Sequence, residues 1–458
     1  MFTTLILSRI QFGFTIGFHI LFPTLNIGLA IFICIFEGIW LKTQNPKYLQ
    51  ICKFWTKIFA LTFGMGVVSG VVLSYELGTN FNGFTNAVGE VLGPLFAYEV
   101  MSAFFLEAGF LGIMLFGWKK VNPKIHYSAT LLVTIGTIIS AFWILSANSW
   151  MQTPTGYYLI GNKFIVKAWS EVIFNPSFIP RFIHMILAAL LTTCFVITGI
   201  SSWYILKKRA IDLAKPCLAI AICLAAIVGP LQLFVGDLMG LNIYHYQPLK
   251  TAAIEANWNT MQGAPFVVFA IPSSTQGKNL FEVKIPYGAS LINTHSFQGT
   301  LIGLNSVPKA DQPVVAPTFF GFRIMVAIGM LFILTAWMGA ILLYRKALFT
   351  KNWFLRLCIW ISPLGFIAAI AGWITAESGR QPWIVYGLMR TANAASNIPM
   401  EHVLISLMLF IVGYGFVFSF YLYYLFKTIR KGPEHLEIPT LTLGYMPQPN
   451  DEVLDDNE

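Results

Sequence analysis

Nine runs of apolar, nearly uncharged residues recur along this chain, and they restrict its fold more than any other feature. A helix rises about 1.5 Å per residue, so about 20 such residues cross a hydrocarbon core about 30 Å thick. The runs cover residues 12–38, 54–75, 93–117, 126–150, 181–206, 216–236, 320–344, 354–376 and 402–427. Inside lipid a backbone amide finds no water, so each run has to close its own hydrogen bonds as a helix. The expected fold class is an all-α polytopic membrane protein with about nine transmembrane helices. Composition agrees, with 11% charged residues against about 25% in soluble domains. The first run is longer than the apolar core of a signal peptide and lacks a small-residue cleavage site, so it reads as a retained helix.

Four regions follow. Residues 1–236 hold six helices, 237–319 form a polar, proline-containing surface loop, 320–430 hold three helices, and 431–458 form a tail that turns acidic after Pro449. The formal net charge of +9 is not a nucleic-acid signature, because 18 of the 29 Lys and Arg fall in alternate connections. Lys42, Lys47, Lys53 and Lys57 mark one such connection, and Lys207, Lys208, Arg209 and Lys215 another, whereas 76–92 has no Lys or Arg. By the positive-inside rule the N-terminus and the 237–319 loop face outside and the tail faces the cytoplasm. Six cysteines include no CxxC and no CxxCH, which argues against dithiol redox chemistry and covalently attached haem.

Ionisable groups inside a bilayer cost several kcal/mol, so those in the spans are functional candidates. His19, His184, Met325, Glu99 and Glu377 all fall toward the outer ends of their spans, and Glu107 lies deeper. Glu99 and Glu107 are read as sharing one helix face, about 12 Å apart along the axis. Glu377 has Arg380 one turn away, so a salt bridge competes with any ligand role. His and Met are axial haem ligands; a Met/His pair leaves an iron that only transfers electrons, whereas a single protein ligand leaves a position open for O₂. Seven histidines, three of them in the loop or tail, cannot supply the six of a haem–copper oxidase or the paired ligands of a bc-type cytochrome b. A secondary transporter would also carry ionisable groups in its spans, but its inverted repeats and broken midplane helices have no counterpart here.

These residues stand in strings that resemble one family along essentially the whole chain: SRIQF with FH near the N-terminus, FFLEAGFLG, SAFWILSANSWMQTP, PRFIH, LKTAAIEANW, FRIMVA and AGWITAESGRQPW. Their types and order are similar to subunit I of the cytochrome bd-type quinol oxidases. The rapid passage from AIEANW to FRIM resembles the short-loop branch, which includes cyanide-insensitive oxidases.

The resemblance implies roles position by position. His184 and Met325 stand where the family ligates a low-spin haem b, His19 where it ligates a high-spin haem, taken as haem d, and Glu377 where a second high-spin haem b is held. Some members of the short-loop branch carry haem b in place of haem d. Lys250 and Glu255 match loop residues of quinol oxidation; without the family they would read as a solvated pair. Glu99, Glu107, Ser140 and Asn148 match polar residues near the high-spin haems, the first three on the expected proton path. Trp373 and Arg380 match residues packed around the haems, and Arg323 lies two positions before the Met ligand. The implied activity is oxidation of ubiquinol or menaquinol at the external loop and reduction of O₂ to water. It generates proton motive force by vectorial chemistry, without pumping, in a bacterial cytoplasmic (inner) membrane. The implied partner is a second membrane subunit, in some members with single-helix accessory subunits; no nucleic acid is implied.

Overall fold

The computed structural model describes residues 3–433, so most of the expected tail lies outside the described residues. Asn45 and Asn122 each precede a proline and accept a hydrogen bond from Lys47 and Lys124, capping two of the longest helices at their first turns. Proline suits the first helical position because the amide it lacks would have had no partner there.

The chain runs α1 (Thr4–His19), α2 (Leu21–Thr43), α3 (Pro46–Asn80), α4 (Asn82–Tyr98), a π-helical segment (Glu99–Phe104), α5 (Phe105–Phe116) and α6 (Pro123–Gln152). A hairpin, β1 (Tyr157–Ile160) with β2 (Lys163–Val166), and the short α7 (Trp169–Ile173) lead to α8 (Phe178–Leu206) and α9 (Ile211–Tyr246). The extramembrane region then holds α10 (Pro248–Glu255), β3 (Met261–Gln262), β4 (Phe266–Ser273), β5 (Lys278–Ile285), α11 (Gly288–Thr294) and β6 (Thr300–Leu301). Last come α12 (Val315–Tyr344), α13 (Asn352–Ile361), α14 (Leu364–Ser378), β7 (Trp383–Val385), β8 (Met389–Arg390) and α15 (Met400–Lys431).

Among the described residues nine helical stretches are long and apolar enough to cross a membrane, and each contains one of the expected runs apart from a residue at an end. They are longer than expected. The stretch Pro46–Asn80 has 35 residues, or about 52 Å of helix at 1.5 Å per residue. Hydropathy marks only the part in hydrocarbon, while the backbone hydrogen bonds continue beyond it. For the same reason α9 runs on to Tyr246, into the segment expected as loop from residue 237. The first stretch breaks between α1 and α2 at Ile20. Pro23 lacks the amide that would bond the carbonyl of His19, four residues back.

The bundle core lies between α2, α3, α8, α9, α12 and α13, where Phe36, Phe59, Phe195 and Phe354 are fully buried. The rings of Phe195 and Phe332 stack at 3.8 Å. Small residues let these helices approach, as is general in membranes. A Cβ on Gly28 would lie 2.2 Å from Thr193 Oγ1, and one on Gly365 would lie 2.6 Å from Thr192 Oγ1. This close packing holds α2, α8 and α14 in the positions from which their polar side chains meet.

Candidate functional site

One face of α6 organises much of the site. Ser140 Oγ donates to Glu99 Oε1 at 3.1 Å, and one turn earlier Gly136 faces Glu107, where an added Cβ would come within 2.6 Å of Glu107 Cγ. Two turns beyond Ser140, Asn148 Nδ2 donates to Glu377 Oε1 at 3.0 Å, and Gln152 Nε2 reaches the same oxygen at 3.3 Å. The two glutamates do share a face, through a feature absent from the expectation. In an uninterrupted α-helix residues eight apart are about 80° apart around the axis. The π segment Glu99–Phe104 adds residues per turn and so brings both carboxylates toward α6.

Glu377 Oε2 forms an ion pair with Arg380, as the alternative reading of that residue allowed. Lys250, fully buried at 0% exposure, donates to Gln152 Oε1 at 2.5 Å and Gln247 Oε1 at 2.8 Å. Gln152 thus links Lys250 to Glu377. Burial depresses the Lys250 ammonium well below the usual lysine range; Arg181 and Arg380 push the same way, and Glu377 opposes them. Burial also lowers Arg380, with Glu377 opposing. Arg181, one turn before His184 on α8, is the third cationic residue of this group. Three basic side chains therefore surround one carboxylate. Arg181 Nε, Arg380 Nε and Arg380 Nη1 are buried without an acceptor. Buried donors are almost always satisfied, so the group fits anionic substituents such as haem propionates.

Glu255, 1% exposed, points elsewhere. Its Oε2 accepts from Arg323 Nη2 at 2.9 Å and its Oε1 from Asn293 Nδ2 at 3.2 Å. Arg323 Nε donates to the Val267 carbonyl at 2.9 Å, and its guanidinium lies over the Phe266 ring at 4.3 Å. The solvated Lys250–Glu255 pair is thereby excluded: both are buried, and each has partners the other does not touch.

Each of three candidate iron ligands faces a helix glycine. A Cβ on Gly70 would lie 3.2 Å from His19 Cε1, one on Gly236 would lie 3.4 Å from His184 Cε1, and one on Gly372 would lie 2.7 Å from Met325 Sδ. His19 Nδ1 is 2.8 Å from Ser69 Oγ, which itself bonds the Met65 carbonyl at 2.8 Å and so fixes the ring. His184 Nε2 is 3.1 Å from Gln232 Nε2, while His184 Nδ1 and Gln232 Oε1 are buried without partners. Helices α8, α9, α12 and α14, which carry His184, Gly236, Met325 and Gly372, pack on one another. Trp373 follows Gly372 and is half-buried. The unpartnered His184 nitrogen and the Met325 thioether are donor types that fit haem ligation.

Arg181, Gln152, Gln247, Gln232 and Asn293 were not singled out from the sequence. Gln152 and Arg181 stand inside two quoted strings, SAFWILSANSWMQTP and PRFIH, and were legible there. Gln247, Gln232 and Asn293 carry no sequence signal; only packing brings them to charged groups.

A family model described as cytochrome bd terminal oxidase subunit I matches residues 7–433. Cytochrome bd ubiquinol oxidase subunit 1 of Bacillus subtilis (strain 168) is 36% identical, over 94% of this chain and 94% of that protein. Cytochrome bd-II ubiquinol oxidase subunit 1 of Escherichia coli (strain K12) is 32% identical over 96% of this chain and 99% of its own length. The solved bd oxidase of Geobacillus thermodenitrificans superposes with a TM-score of 0.88 at 30% identity, covering 94% of this chain and 99% of that one. With residues 7–433 matched by the family model and nine membrane-length helices among the described residues, the chain belongs to the family of cytochrome bd terminal oxidase subunit I.

Proposed function

We propose that this chain is the haem-bearing subunit of a quinol:O₂ oxidoreductase in a bacterial cytoplasmic (inner) membrane, of the short-loop branch, assembled with a second membrane subunit and, where the organism supplies them, single-helix accessory subunits. The observation that carries the haem reading is the group of Arg181, Lys250 and Arg380 around Glu377, with arginine nitrogens buried and unpartnered. An isolated buried charge is costly unless paired, so this group needs anions that the chain does not provide.

His184 and Met325 would hold a low-spin haem b. His19 would hold a high-spin haem, haem d or haem b in its place, and Glu377 a second high-spin haem b, with Asn148 and Arg380 orienting its carboxylate. Arg323 and Trp373 complete the haem surroundings. When bound, the haems carry single electrons and supply the site at which O₂ is reduced to water.

The chain's own residues handle protons and quinol. Glu255, held by Arg323 and Asn293, is the acceptor for a quinol proton. Lys250, whose charged form is disfavoured by burial, holds a quinol oxygen without adding a full charge. Both lie on α10, in the region read as external from the distribution of Lys and Arg, and protons are released on that side. Glu107, Glu99 and Ser140 on the α5–α6 face supply protons drawn from the cytoplasm. Release on one side and uptake on the other separates charge without a pump. Extracting and identifying the haems of the purified complex, together with quinol-driven O₂ uptake, tests this reading; a colourless, inactive complex overturns it.

A further inference from the structure

The hairpin β4–β5 lies outside the nine spans yet exposes large apolar side chains. Phe269 pairs with Val283 across it, so both point to one face, and both are exposed. Val267, on the opposite face, is buried. Between the pairs Ile271–Leu280 and Phe269–Val283, β5 has one residue more than β4. That bulge puts Phe281 at φ 52, a left-handed conformation bulky residues rarely adopt. Phe281 is 79% exposed, so packing among the described residues does not account for the strain. Bulges commonly re-aim a side chain, and this one aims an aromatic away from the protein.

Depth is set by contacts with the spans. Arg323, eight residues into α12, bonds the carbonyl of Val267, and the ring of Phe269 lies 6.4 Å from that of Phe320. The hairpin therefore lies alongside the first turns of α12 and not above its end. His295, at the end of α11, bonds Asp237 at 3.1 Å, which places α11 nine residues below the end of α9. Phe320 also begins a stripe down α12: Ile324, Ala327, Leu334 and Ile341 follow at spacings of three, four or seven and are exposed. Residues so spaced share a helix face, here one left exposed along a membrane-spanning helix among the described residues. The apolar face of the hairpin is continuous with that face through Phe269 and Phe320.

We propose that β4–β5 is an interfacial anchor: Phe269, Phe281 and Val283 insert into the headgroup–acyl boundary of the bilayer. Lys278, at the turn end of the same hairpin, meets the lipid phosphates, whereas Lys284 lies opposite Val267 on the other face and pairs with Glu282. The occupant is the lipid surface because the patch continues the exposed apolar stripe of a membrane-spanning helix, at the depth where that stripe starts. Aromatic side chains are enriched at this level of membrane proteins, with basic residues reaching the headgroups. The anchor does not depend on which quinol, if any, the neighbouring Lys250 and Glu255 bind.

The test uses the whole oxidase complex in nanodiscs of phosphatidylethanolamine and phosphatidylglycerol. In a Cys223→Ser background, which removes the exposed native thiol, nitroxide labels are placed by Phe281→Cys, Val283→Cys and, as a control, Lys284→Cys. Collisional broadening by O₂, which partitions into lipid, is compared with that by a water-soluble nickel chelate. The expected O₂-to-nickel ratio is severalfold higher at 281 and 283 than at 284. Equal, water-like ratios at all three positions overturn the anchor. Exclusion of both reagents from 281 and 283 also overturns it, since a protein partner then covers the face. Loss of the difference when the same complex is moved to a lipid-free amphiphilic polymer supports it.

Discussion

Helix α10 contributes to two buried charged groups that differ in their balance. At one end, Lys250 joins Arg181, Arg380 and a single carboxylate, Glu377, and several arginine nitrogens are left over. At the other, Glu255 is paired with Arg323 and also accepts from Asn293, and a single arginine nitrogen, Arg323 Nη1, is left over. The first group has three unmatched arginine nitrogens around one carboxylate, whereas the second has one arginine and one carboxylate with a single nitrogen unmatched. Burial alone does not mark a binding site. A buried group whose donors and acceptors fail to match does.

The largest effects test the ligands beside the first group. His184→Ala abolishes the low-spin haem spectrum and quinol oxidation, and Met325→Leu converts that spectrum to a high-spin form; a normal low-spin spectrum in either variant refutes the pair. Next comes the contrast itself. Glu377→Ala leaves three buried basic groups without their counter-charge, a loss of about 3–5 kcal/mol for a broken buried pair, and haem content falls. Glu255→Ala lowers quinol-driven turnover strongly but keeps all the haems, and an artificial donor still reduces the complex. Equal loss of haem in both variants removes the distinction between the two groups.

Smaller changes sharpen the comparison. Glu107→Gln retains haem but slows O₂ reduction; time-resolved oxidation with proton uptake at the normal rate excludes the relay. For Lys250 the sign of the pH effect follows from its environment. Burial lowers its pKa in the folded state, so the unfolded chain binds more protons between that value and the ordinary lysine pKa. Stability therefore rises with pH across that window and is lost as pH falls toward the lowered value. Lys250→Met flattens the profile, measured as the midpoint of thermal unfolding of the complex from neutral to alkaline pH. The smallest effect belongs to Gly372→Ala. Its Cβ would lie 2.7 Å from the flexible end of Met325, so the low-spin haem keeps its absorption but shifts in redox potential; an unchanged potential means the glycine does not face the ligand sulfur.

Several parts of the site were legible before folding is considered. The span histidines and glutamates are rare residue types where charge and polarity are expensive, so they stand out, whereas Met325, one of 15 methionines, is ordinary packing by itself and is singled out only with its histidine and the family strings. Lys250 and Glu255 gave the opposite lesson. Five residues apart in a polar segment they resemble a solvated pair, and only the packing of α10 against α12 and the end of α6 buries them. The eight-residue spacing of Glu99 and Glu107 points them apart in an α-helix and together once the π segment intervenes. No composition or period announces that segment.

What the sequence determined by itself is therefore the set of spans and their order. Lipid offers no hydrogen bonds, so an apolar run of sufficient length has one solution, and local residues decide it. Tertiary structure decided which faces of those helices meet. Gln152 joining Lys250 to Glu377, Arg181 beside the same carboxylate, and glycines opposite His19, His184 and Met325 all depend on residues far apart in the chain. Such contacts arise from helix rotation and crossing, which are set by packing small against large side chains, and no single span encodes its neighbour.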